Sequence, residues 1–192
     1  MNQPAVTRPL VIFSHGNSFP GGTYTQVLNR LIDHGFDVKA LDRFGHDPRY
    51  PVTSNWPQLV QQLADFVVHA AQGHSGPVFL LGHSLGGFVS LMCAARFPTL
   101  AGGPIKGVVM LDSPVIGGWK ARALALAKHT QMVGHLSPGA VSRKRRNQWP
   151  DAQTARAHFE HKRAFARWDP QVLTDFIALG TEDVAQPDGS TH

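Results

Sequence analysis

Ser84 lies in the pentad Gly82-His83-Ser84-Leu85-Gly86, where residue types and spacing point to covalent chemistry. The apolar run Val78 to Leu81 leads into it, and Phe88, Val89, Leu91 and Met92 lead out at helix-like spacing. A serine between two glycines in a strand, tight turn and helix forms a nucleophile elbow, with its Oγ raised above the sheet edge. Gly82 and Gly86 let the turned backbone approach its neighbours without a Cβ in the way. The alternative reading is a glycine-rich turn carrying a solvated serine.

Acyl transfer by a serine needs a base for its proton, an orienter for that base, and donors for the developing oxyanion. The amide of Leu85, next after the nucleophile, is one expected donor. Asp112 is the acid at the C-terminal end of a later strand and is a candidate triad acid; it could equally cap a turn with Ser113 and Pro114. None of the histidines reads as the base. His83 adjoins Ser84 and should pack or hydrogen-bond behind the turn, while His15 should orient backbone. His34, His69 and His74 fall on crossover helices or their ends. His129, His135, His158 and His161 fall in a later helical stretch, and His192 is terminal.

Four apolar runs must form the strands that carry these groups: Leu10 to Phe13, Val38 to Leu41, Val78 to Leu81 and Val108 to Leu111. Continuous rather than alternating apolar residues predict strands covered on both faces. Between them, Tyr24, Val27, Leu28, Leu31 and Ile32 form one helical stripe, stopped by Gly35. Leu59, Leu63, Phe66, Val67 and Ala70 form a second, begun near Pro57 and ended by Gly73. A third helix runs from the elbow to Phe97 and stops at Pro98.

Strand and helix in alternation predict an α/β fold: a three-layer α/β/α core with a mostly parallel sheet of about four strands. Sites in such sheets gather at the C-terminal strand ends. Those ends carry His15-Gly16-Asn17, Asp42-Arg43, His83-Ser84-Leu85 and Asp112-Ser113-Pro114.

After Pro114 the pattern turns helical. Helices are expected over Trp119 to His129, over Asp151 to Trp168 with Asp151 as N-cap, and from Asp169-Pro170 to Gly180. The expected organisation is a core over 1–114, a helical cap over 115–180 and a tail over 181–192. Leu124, Leu126, Phe159, Phe165 and Trp168 offer an apolar entrance, or serve as the cap's own core.

The chain's 42% hydrophobic content suffices for a core, and its formal charge is +5. Residues 120–168 hold 11 Lys and Arg against 2 acids, and Arg143-Lys144-Arg145-Arg146 is the densest part. Without an aromatic-interleaved or helix-turn-helix pattern this reads as a solvated basic face, not a nucleic-acid surface. A single cysteine, Cys93, excludes an intrachain disulfide and reads as a buried thiol. No run approaches membrane-spanning length and no leader pattern opens the chain, so a cytoplasmic enzyme without membrane contact is expected. No metal-ligand spacing or dinucleotide fingerprint calls for a cofactor.

The stretches Phe13-Ser14-His15-Gly16-Asn17-Ser18-Phe19-Pro20, Gly82-His83-Ser84-Leu85-Gly86-Gly87 and Leu111-Asp112-Ser113-Pro114 resemble the α/β-hydrolase superfamily, in particular small bacterial cap-bearing serine hydrolases. The resemblance implies that Asn17 supplies the second oxyanion-hole amide, and that Asp112 sits on a strand that carries the triad acid in some members. A serine at position 84 disfavours the aspartate-nucleophile dehalogenases and epoxide hydrolases of that superfamily. It further implies that the four strands are the third to sixth of eight, so the chain looks C-terminally truncated before the usual carriers of the acid and histidine. A small apolar carboxylic ester or thioester is then the expected substrate, with this chain alone nearly inactive; a non-catalytic ligand-binding member is the alternative. The strand ending at Leu111 would present an edge open to self-association.

Overall fold

The computed structural model describes residues 7–115 and 146–184. Strand β1 (Leu10–Ser14) is followed by a 3-10 turn (Gly21–Tyr24), α1 (Thr25–Asp33), β2 (Asp37–Leu41), α2 (Pro57–Ala70), β3 (Val78–His83) and α3 (Leu85–Arg96). Strands β4 (Thr99–Leu100) and β5 (Gly103–Leu111) complete the sheet, and α4 (Ala152–Glu160) and α5 (Pro170–Gly180) come later. The strand order is β2-β1-β3-β5-β4. The first four are parallel, as short strands joined by helical crossovers must be.

Every residue of β1, at the centre of the sheet, is buried, because helices cover both of its faces. Leu10, Ile12 and Leu80 pack against Leu59, Leu63 and Val67 of α2 and Val89 and Cys93 of α3. Val11, Phe13 and Leu81 face the other way, toward Tyr24, Leu28 and Leu31 on the α1 side. The expected three layers are thus present. Burial pushes the Cys93 thiol up to about 12, so it stays protonated and inert at neutral pH.

The sheet has five strands where about four were expected. The added one, β4, is two residues long and pairs antiparallel with Gly103 and Pro104. Its two-residue loop has Ala101 at φ 52° and Gly102 at φ 80°, the double positive φ of a tight hairpin. Ala-Gly is a weak turn signal beside Asn-Gly, and two residues show no periodicity. Beyond β4, the outer edge of β5 is unpaired among the described residues, and β5 is covered on one face only, by the packing of Val108, while Val109 and Leu111 on the other are 50% and 39% exposed, against the expectation of a strand covered on both faces.

Asp151 caps α4 as expected, its Oδ1 accepting from the Thr154 amide, but the helix ends at Glu160 and not at Trp168. At 100° per residue, one continuous helix would aim Phe159, Phe165 and Trp168 in directions 60° to 180° apart. The chain breaks instead. The His161 ring nitrogen Nδ1 bonds the Ala157 carbonyl at 2.6 Å, and three-residue turns follow, Phe165 N–H to Lys162 O and Trp168 N–H to Phe165 O. All three aromatic rings then reach Phe176 of α5, at centroid distances of 5.0, 5.7 and 5.8 Å. These residues form a core of their own, with Ala155, Leu173 and Ile177 at its centre. Leu124, Leu126 and the helix expected over Trp119 to His129 lie outside the described residues.

Candidate active site

Ser84 has φ 50° and ψ −115°, outside the regions a non-glycine residue ordinarily adopts. What holds it there is complete use of its backbone. Its N–H donates to Leu111 O at 2.9 Å on the neighbouring strand, and its carbonyl accepts from the Gly87 and Phe88 amides. The Ser113 hydroxyl lies 2.9 Å from Ser84 O and 3.0 Å from Leu111 O, sharing its proton between them. Ser113 is therefore a brace of the elbow, which the sequence offered only as a turn residue.

The glycine spacing has a steric reason at each position. A Cβ on Gly82 would overlap the Gly86 backbone, one on Gly86 the carbonyl groups of Ser14 and His15, and one on Gly87 the Ser113 side chain. The elbow can close onto β1 and β5 only with bare backbone at those points. The Ser84 Oγ makes no hydrogen bond among the described residues.

The loop after β1 is held on two sides. The Gly16 N–H donates to Tyr24 Oη at 3.0 Å, and Tyr24 Oη lies 2.7 Å from His83 Nδ1. Since the hydroxyl already accepts from Gly16, its proton is available to His83. Burial raises the Tyr24 pKa, so this proton is retained. His83 accordingly bonds behind the turn, as expected, but the partner 59 positions away is one no local pattern announces.

On the other side, His15 Nδ1 lies 2.8 Å from Gly16 O and its Nε2 accepts the Phe44 N–H at 2.9 Å. The imidazole is neutral and links the loops after β1 and β2. Burial lowers the His15 pKa, outweighing the Gly16 hydrogen bond and the charge of Asp42, which raise it; His46 adds to the lowering. A depressed folded pKa means that the unfolded chain takes up the proton first, so stability is full above about 6.5, the unfolded value, and falls as pH drops below it. His15→Gln is expected to flatten that loss between pH 6.5 and 5, measured as the difference in Tm between the two proteins. Parallel Tm curves would show that His15 does not contribute it.

These bonds leave two nearby backbone amides unused. In the loop, Gly16 N–H is used by Tyr24 and Phe19 N–H by Gly16 O, leaving the exposed Asn17 and Ser18 amides without an acceptor among the described residues. At the elbow, Gly87 and Phe88 are used and Leu85 is not. Leu85 adjoins Ser84, and the chain leading into the Asn17 loop lies against the elbow, where Gly86 meets the Ser14 and His15 carbonyls. Asp112 follows β5 with φ 49°, exposed and without a side-chain partner among the described residues. Asp42 bonds through its backbone to the Gly21 amide, and its side chain lies 3.7 Å from Arg43, which pairs with Glu182 at 3.0 Å.

None of the described histidines bonds to Ser84. His15 and His83 are engaged as above, His161 bonds Ala157 O, and His158 stacks on Trp149 and Phe159. His129, His135 and His192 lie outside the described residues. Two clefts of about 490 and 480 Å³ open at the N-terminal strand ends, beside Asp37, His74 and Lys39 and beside Gly76, Gly102 and Lys106. Neither includes Ser84, Asn17 or Leu85. Among the described residues no cluster of three or more His, Cys, Asp or Glu fits a metal ion, and no helix is long and apolar enough to cross a membrane.

Comparison with known proteins gives this geometry its relatives. Human monoglyceride lipase is 31% identical over 142 residues, covering 70% of this chain and 46% of the lipase. Monoacylglycerol lipase of Mycolicibacterium smegmatis is 30% identical over 136 residues, covering 69% and 47%. The chain thus spans about half the length of the curated relatives it matches. The thioesterase domain from the curacin biosynthetic pathway shares the fold, with a TM-score of 0.58 at 19% identity over 96% of this chain and 63% of that domain. The model of the alpha/beta hydrolase family matches residues 11–189, nearly the whole chain, and the protein belongs to that family.

Proposed function

We propose that the protein acts on a small, rather apolar carboxylic ester or thioester through an acyl-enzyme on Ser84. In this reading Ser84 Oγ attacks the acyl carbonyl, the C–O or C–S bond to the leaving group breaks, and water then cleaves the acyl-serine. The amides of Asn17 and Leu85 stabilise the oxyanion, each contributing about 3 kcal/mol in the transition state. Asp112, just after β5 and without a side-chain partner among the described residues, is the proposed orienter of the base. The reading of 115–180 as a cap is supported, among the described residues, by α5, which packs on the segment after the Asn17 loop. No cofactor takes part in these steps.

The observation that carries the reading is the strained Ser84 backbone, with all its polar groups committed and its Oγ uncommitted. Lipases among the relatives support an acyl substrate. Rates should be low, because no described histidine serves as base, and catalysis without a triad member is limited to about 10³ to 10⁴ over water. The test supplies a base from solution. With imidazole present, a fluorophosphonate is expected to modify Ser84, releasing fluoride, as read by peptide mass spectrometry, and Ser84→Ala is expected to abolish the adduct. No adduct under these conditions would favour a non-catalytic, ligand-binding role, which the engagement of His15 and His83 in other bonds also supports.

A further inference from the structure

The segment from Gly16 to Pro20 is short, strained and tied to two different parts of the molecule. Its first residue is fixed from the core side, by Tyr24 at the amide and His15 at the carbonyl. Phe19 closes a turn by donating its N–H to Gly16 O at 3.2 Å. Within that turn Ser18 has φ 65°, a conformation a non-glycine residue holds only where its flanks are fixed. Asn17 and Ser18 are exposed and make no hydrogen bond among the described residues. Their geometry is set by where Phe19 goes.

Phe19 goes to the helices, not to the sheet. Its ring lies 5.4 Å from Phe176 and 6.2 Å from Trp168, in the aromatic cluster of α4 and α5. The helices are seated on the same stretch at further points. Leu179 fills the space where a Cβ on Gly22 would be, at 3.3 Å, and Gln26 Nε2 donates to the buried Asp175 carboxylate at 2.7 Å. The loop is therefore clamped between two bodies, and the residue two places after the Asn17 amide belongs to the second.

We propose that Phe19 is a positioning residue through which the helical segment 146–184 sets the Asn17 amide relative to Ser84. The helices then act on the chemistry as well as on access: a substrate or surface that shifts α5 moves an oxyanion donor. This rests on the Ser84 reading above.

The test compares Phe19→Ala, Phe19→Leu and Phe165→Ala in the full chain. Phe165 lies in the same cluster but touches Phe159, Trp168 and Phe176, not the loop. Phe165→Ala therefore reports on loss of cluster packing alone. The readouts are the rate of Ser84 modification by the fluorophosphonate with imidazole, hydrogen-deuterium exchange of peptide 15–20, and Tm. Phe19→Ala is expected to slow modification about 10-fold and to speed exchange in the loop, because misplacing a donor by a fraction of an ångström is costly. Phe19→Leu should recover most of the rate, and Phe165→Ala should keep it within about threefold at a comparable fall in Tm. Equal losses in Phe19→Ala and Phe165→Ala, or an unchanged loop in Phe19→Ala, would overturn the proposal. Should wild type resist modification, the Ser84 reading fails, while exchange in the loop still decides whether Phe19 anchors it.

Discussion

Gly86→Ala is expected to unfold the protein or leave it without a cooperative thermal transition. The added Cβ would overlap the carbonyl carbon and oxygen of Ser14 and the carbonyl oxygen of His15. These are backbone atoms of a fully buried strand end, so no side chain can rotate away. Relief requires β1 and α3 to separate, which opens the packing of Leu10, Ile12, Val89 and Cys93 between them. Overpacking a well-filled core costs about 1–3 kcal/mol where side chains adjust, and backbone displacement exceeds that. Against the roughly 5–15 kcal/mol stability of a domain, such a loss is a large fraction of the total. The comparison is Gly35→Ala: φ there is 89°, which carries a backbone penalty, but a Cβ meets nothing within 4 Å. Calorimetry showing equal Tm losses for the two variants would mean that the elbow tolerates spreading and that the glycine spacing has another cause.

The elbow was legible because its signal is local. Two glycines, a serine, a preceding apolar strand and a following helix all lie within 20 residues, and the structure places β3, Ser84 and α3 where that pattern puts them. The parallel strands were legible for the same reason, as short apolar runs between helical stripes, with only Lys39 of β2 interrupting them. Gly35 and Gly73 take the positive φ expected of helix stops, at 89° and 74°.

What the sequence did not disclose depends on partners far along the chain or on competition between directions. Tyr24 reads as the first residue of an apolar stripe, and the ring does pack there, 4.6 Å from Phe13. Its hydroxyl has a second role that only the meeting of β1 and β3 creates. Ser113 is similar, since its bond to Ser84 exists because β5 lies beside β3. The break after Glu160 has yet another origin. A continuous helix satisfies local propensity, but three aromatic residues at spacings of six and three can converge on Phe176 only if the helix stops. Tertiary packing of the rings prevailed over propensity, which is worth only tenths of a kcal/mol per residue.

Tyr24→Phe is expected to lower stability by about 2 kcal/mol while leaving the hydrophobic packing of the ring intact, because it removes one oxygen and orphans two groups. Gly16, itself buried, loses the acceptor of its N–H, and His83 Nδ1 loses its donor beside the nucleophile. Each unsatisfied buried group costs about 1–3 kcal/mol, less where water can enter, and His83 is only half-buried. The effect on chemistry should be larger in proportion than the effect on folding. With Gly16 released, the loop loses its fixed point on the core side, and the Asn17 amide shifts relative to Ser84. Nitrogen NMR of His83 offers a direct reading. In wild type Nδ1 should show the shift of an accepting, hydrogen-bonded nitrogen, and in Tyr24→Phe it should move toward the value for free imidazole. Ser84 modification by the fluorophosphonate should slow by at least the factor seen for Phe19→Ala, since both variants release one end of the same turn. An unchanged His83 signal would mean that the Tyr24 hydroxyl does not hold the loop to the elbow, and that Asn17 is placed by other contacts.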